Sequence, residues 1–70
     1  AIKEYEMSIE YDPNYDIAYN NLGVIYLDDL GRVQKAMEMF KKSVECNPNY
    51  ALAHFNLARS IAITGDKIEK

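Results

Sequence analysis

The sequence predicts an all-α protein, an α-solenoid of antiparallel helix pairs. Three observations predict it. The chain says the same thing twice: EYDPNYDIAYNNLG, from Glu10 to Gly23, returns 35 residues later as ECNPNYALAHFNLA, from Glu45 to Ala58. A fixed period in this range is the mark of stacked structural repeats. The stretches between the proline-containing breakers carry apolar residues at helical spacing. With 70 residues and the single cysteine Cys46, there is no disulfide framework, so stability has to come from packing one unit on the next.

Laid over one another, 1–35 and 36–70 form two units of a single repeat segment. Ala1 falls on Ala36, Tyr5 on Phe40, Ser8 on Ser43, and Pro13-Asn14-Tyr15 on Pro48-Asn49-Tyr50. Ala18, Asn21 and Leu22 fall on Ala53, Asn56 and Leu57, and Gly23 on the equally small Ala58.

Four helices follow, at about 1–11, 15–29, 33–46 and 50–64. The first is closed by Asp12-Pro13-Asn14, because proline ends a preceding helix and suits the start of the next. In the second, Tyr19, Leu22, Gly23 and Tyr26 recur at i, i+3, i+4, i+7 and define one face. Gly31 is placed to turn the chain after it, and Gly65 to do so in the second unit. The third helix buries Val33, Ala36, Met37, Phe40 and Val44, and leaves Glu38, Lys41, Lys42 and Glu45 to solvent. A mid-helix glycine costs about 1 kcal/mol relative to alanine. Gly23 therefore predicts close approach of another helix, with Ala36 and Ser43 as matching small sites on that partner and Phe40 as the large knob between them.

These residues resemble the tetratricopeptide repeat. The run Tyr19, Leu22-Gly23, Tyr26, Ala36, Phe40, Ser43 and Pro48 follows that family's signature, and the resemblance spans the chain. The second copy departs from it at His54, Ala58 and Ile61, all compatible with packing. His54 is expected in the core or at its boundary, since no second ligand stands at metal spacing. The family's usual period is 34. Here Leu27-Asp28-Asp29-Leu30 carries one extra residue, which lengthens the helix or its turn. A period of 35 also resembles the RNA-binding pentatricopeptide repeats, against which stand the Leu-Gly pair and a net charge of -3.

The resemblance implies a right-handed superhelix whose first helices line a concave, peptide-binding wall. The second helix carries a further face suited to that wall: Ile17, Asn20, Asn21, Val24 and Leu27. The fourth repeats it with Leu52, Phe55, Asn56, Arg59 and Ile63. An amide holds both a donor and an acceptor. Asn21 and Asn56, one unit apart, would make a short ladder along a peptide backbone, similar to that in the repeat region of O-linked N-acetylglucosamine transferases. Alternatively these asparagines bridge neighbouring helices. Arg59 would pair with a carboxylate of the partner. Members that clamp a C-terminal carboxylate place lysines where this chain has Ile17 and Leu52, which argues against that activity.

The chain begins inside the family's second helix, so both apolar ends need cover. Either the segment belongs to a longer array, or copies stack head to tail into a superhelix. Residues 1–29 hold seven acids and one base, and residues 30–70 hold four acids and seven bases, which favours end-to-end contact. No Ser/His/Asp or Cys/His constellation and no phosphate-binding glycine loop is present, so no catalysis, cofactor or metal is expected. No signal peptide or apolar run of bilayer length appears. A lone Cys46 fits a reducing compartment such as the cytoplasm. The expected role is a non-catalytic scaffold with a protein or peptide partner, rather than a nucleic-acid or membrane binder.

Overall fold

The computed structural model describes residues 2–68, and the side chains of 2–64. It contains α1 (Ile2–Tyr11), α2 (Asp16–Val24) running on into a π-helical turn (Ile25–Asp29), α3 (Val33–Cys46) and α4 (Ala51–Ile68). The described residues form no strand. The expected start of the first helix at Ala1 lies outside the described residues.

The two breakers fold alike. Asp12 Oδ1 accepts from the Asn14 N–H at 3.2 Å, and Asn47 Oδ1 from the Asn49 N–H at 3.1 Å. In each, the N–H of the following tyrosine, Tyr15 or Tyr50, donates to the carbonyl of Asp12 or Asn47 at 3.0 Å. Short polar side chains that bond the backbone two residues on build such turns locally. The turn then reverses the chain without help from the rest of the fold.

α2 and α3 are antiparallel, as the buried Ser43 near the end of α3 shows: its hydroxyl donates to the Asp16 carbonyl at the start of α2, at 2.8 Å. Asn47 adds a second tie at that end, its amide donating to Asp16 Oδ2 at 2.9 Å. Between the helices sits Phe40, wholly buried, with Leu22, Tyr26, Leu27 and Ala36 around it. Burying such a ring contributes on the order of 1.5–3 kcal/mol. A Cβ on Gly23 would lie 2.6 Å from Phe40 Cδ1 and 2.8 Å from Cζ, so the glycine is there to admit the ring. α1 rests on this cluster through Ile2, Tyr5 and Ile9, and α4 joins it through Leu57. The solvated face expected on α3 is exposed at Glu38, Lys41, Lys42 and Glu45.

Three expectations are corrected. The second helix is not regular to residue 29: its extra residue is absorbed in the π turn, where the Leu30 N–H reaches back five residues to the Ile25 carbonyl at 3.2 Å. Single-turn π bulges are a known way for a helix to hold one residue too many. Gly31 then closes the helix as expected, with φ of 66°, while the Arg32 N–H donates to the Tyr26 carbonyl at 2.7 Å. Gly65 does not turn the chain, because α4 continues through it to Ile68. A terminating glycine works by entering the left-handed region where a following helix folds back. Gly31 has α3 to hold it there, and among the described residues Gly65 has no such helix. His54, expected in or beside the core, is exposed. It occupies the place of Tyr19 and does the same work. Tyr19 donates its hydroxyl to the Pro13 carbonyl at 3.1 Å, and His54 Nε2 lies 2.7 Å from the Pro48 carbonyl, to which its N–H donates.

Candidate functional site

α2 and α4 lie side by side and run in the same direction, each antiparallel to α3. At the far end of α3, Met37 Sδ lies 3.7 Å from the Thr64 hydroxyl of α4. The seam between α2 and α4 is polar at its centre. Asn20 and Asn56 are both buried, and the Asn56 amide donates to Asn20 Oδ1 at 2.9 Å. A buried amide must find a partner or it costs about 1–3 kcal/mol. The pair therefore fixes the register of one unit on the next: sliding either helix by one residue leaves both amides unmatched.

This placement divides the ten residues expected on the wall. Ile17, Leu52, Phe55 and Ile63 are exposed, Phe55 most of all at 61%. Asn21 and Val24 are half-buried, and Val24 packs against the core. Asn20, Leu27 and Asn56 are buried, against the expectation that they stand outward. For Leu27 the reason is the π turn, which departs from 3.6-residue spacing and carries the side chain into the Phe40 cluster. For Asn20 and Asn56 the reason is each other. Asn56 thus bridges neighbouring helices and spends one of its two amide N–H donors there. Asn21, its counterpart one unit earlier, makes no side-chain hydrogen bond among the described residues.

Arg59 finds its carboxylate within the chain. Its Nη2 lies 3.2 Å from Asp28 Oδ1 and 3.3 Å from Oδ2. Asp28 stands in the π turn, and both side chains keep substantial exposure, 39% and 51%. The Arg59 Nε is buried without a hydrogen-bond partner. Sequence reading named Arg59 but missed Asp28; the extra residue in Leu27–Leu30 was the signal.

The remaining reactive groups lie elsewhere. Burial pushes the Cys46 thiol above its ordinary range, and Asp16, Glu45 and Asp12 push it further, so it is held as the unreactive thiol. No group of His, Cys, Asp and Glu among the described residues could hold a metal ion. No helix among them is long and apolar enough to cross a membrane.

Stacked helix pairs, a breaker folded twice in the same way and a glycine under an aromatic ring define the class: a helical-repeat protein. Family models agree. Residues 17–50 and 39–70 each match a tetratricopeptide repeat model, and residues 1–29 match a TPR repeat model. Together these overlapping matches run from residue 1 to residue 70 and support the tetratricopeptide-repeat family. Repeats of this family generally mediate protein–protein interaction and are typically non-catalytic. Comparison with curated proteins and with solved structures returns no match.

Proposed function

We propose that the chain is a non-catalytic interaction scaffold that takes an extended peptide segment along the wall formed by α2 and α4. The observation that carries this reading is the repetition of exposed apolar residues on two helices held in register. Ile17 and Leu52 occupy the same place one unit apart and are 44% and 50% exposed. The Asn20–Asn56 bond keeps that spacing. Asn21 offers a free amide beside Ile17, suited to a peptide backbone. Phe55, Arg59 and Ile63 extend the surface along α4, with Val24 at its edge. Asn20, Leu27 and Asn56 support the wall from beneath. The finer likeness to the transferase repeat regions rests on Asn21 and Asn56, and Asn56 has already given one of its two amide N–H groups to Asn20.

Affinity capture from a lysate, with and without ribonuclease, tests the reading. The variant to compare is Ile17→Asp/Asn21→Ala, which leaves the Asn20–Asn56 bond intact. Discrete proteins retained by wild type and lost by the variant, unaffected by ribonuclease, are the expected result. The same catch on both would remove the wall as the site, and a catch abolished by ribonuclease would point to RNA.

A second reading, head-to-tail stacking of copies, is favoured by Phe55 and Ile61, large apolar groups exposed on α4. In perfect register, a copy's Tyr5 would meet Ala58 as Phe40 meets Gly23. The Ala58 methyl stands where that ring would sit, so such a joint has to differ from the α2–α3 contact. A solution mass that stays monomeric as concentration rises would dismiss it.

A further inference from the structure

A cleft of about 270 Å³ opens between α1 and α3, on a side of α2 that α4 does not line. It is distinct from the wall described above. Tyr19, Leu22 and Tyr26 line it as its floor, with Ile9 contributed by α1 and Met39 by α3. Lys35 and Lys42 stand on the α3 wall, and Glu6 on the α1 wall. Lys35 Nζ lies 5.8 Å over the Tyr26 ring. Neither lysine forms an ion pair among the described residues, although Glu38 stands one turn before Lys42.

We propose that this cleft binds a protein segment that inserts one large aromatic or aliphatic side chain and places a carboxylate beside it. Size and charge both lead there. The volume accommodates one large side chain and is too small for a helix. The floor is apolar, so the inserted group is desolvated favourably. The two unpaired ammonium groups on one wall complement a carboxylate next to the anchor. Glu6 on the opposite wall repels an acid there, so the segment has one preferred orientation. Phe40 and Gly23 sit behind the floor and keep Leu22 and Tyr26 in place, which makes the cleft a standing feature of the α2–α3 pair.

The test is an amide-resolved NMR titration of the 70-residue chain with two tripeptide probes, acetyl-EWE-amide and acetyl-KWK-amide. The acidic probe is expected to give saturable shifts at Leu22, Tyr26 and Met39, and to bind at least about fivefold more tightly than the basic one. Lys35→Glu/Lys42→Glu is expected to reverse that preference. Both substitutions are at exposed positions, and the dispersion of the variant's own spectrum shows that it folds. Ile17→Asp is expected to leave the titration unchanged, so failure here is separable from failure of the α2–α4 wall. Three results overturn the proposal: equal affinity for the two probes, saturable shifts confined to residues around Ile17 and Leu52, or a mass that doubles with concentration while the same cleft amides shift without any probe. The last would assign the cleft to a second copy.

Discussion

The two breakers, around Pro13 and Pro48, fold with the same hydrogen bonds, yet the helices leading into them make different side-chain contacts near their ends. Ser8 and Ser43 hold equivalent places. Ser8 bonds back to the Glu4 carbonyl in its own helix at 3.1 Å, and its surroundings are only half-buried. Ser43 is fully buried and reaches across to Asp16. The turn is therefore a local property, carried by Asx side chains and proline, and each copy forms it alone. The contact between helices is a property of neighbours, and the same residue does a different job when the neighbour differs. The exchange of Tyr19 for His54 makes the first half of this point chemically. A phenol and an imidazole share little except a donor about the same distance from the backbone, and that donor reaches the proline carbonyl in both.

The sharpest break of this comparison lies at Gly23 and Ala58. Gly23→Ala drives a methyl into the Phe40 ring. Overpacking costs about 1–3 kcal/mol, and a Cβ with several Phe40 ring atoms inside 3.0 Å puts this site at the upper end, near 3; alanine's better helix propensity returns about 1 of it. A net loss near 2 kcal/mol is expected, read as a lower urea midpoint with unchanged slope. At the equivalent exposed place, Ala58→Gly has no ring to relieve. It is expected to lose about 1 kcal/mol, through helix propensity alone. Equal losses at the two places would mean that Phe40 moves aside freely, and that the glycine is not what admits it.

Ser43 and Ser8 give the next largest difference. Ser43→Ala removes a buried cross-helix bond and is expected to cost about 1 kcal/mol. Ser8→Ala removes only a bond within one half-exposed helix, where alanine is the better helix former, so the change is expected within about 0.5 kcal/mol of zero. Matching losses at both would show that the Ser43–Asp16 bond adds nothing beyond a local one.

Much of this was legible in the sequence, for reasons that the two copies make plain. Helix positions follow from Pro13, Pro48 and a 3.6-residue apolar period, both local signals. Close approach at Gly23 was legible because a mid-helix glycine has a cost that only close packing offsets, but small sites at Ala36 and Ser43 were expected opposite it, and the Phe40 ring itself fills the place. The polar seam was not. Asn20 and Asn21 are adjacent and of one type, and only the packing of α4 decides which of them is buried. The outward pattern read for α2 also assumed one helical period throughout. The π turn breaks that period after Val24, and so Leu27 points inward.

The π turn also sets the smallest expected effect, at Arg59 and Asp28. An exposed pair of this kind contributes about 0–1 kcal/mol and is weakened by salt. Against it stands the buried, unbonded Arg59 Nε, a cost the same side chain brings with it. The two act in opposite directions on a side chain that stays 39% exposed, so Arg59→Gln is expected to change stability by less than about 0.5 kcal/mol. A double-mutant cycle with Asp28→Asn isolates the pair from the Nε cost, since only the arginine substitution removes that cost. A coupling of about 0.5 kcal/mol that disappears in high salt is expected. An Arg59 held this weakly gives up little when it turns from Asp28 to a carboxylate of a peptide on the wall. A salt-insensitive coupling above about 2 kcal/mol would mean instead that the arginine is committed to holding the π turn against α4, and would take it out of the binding surface.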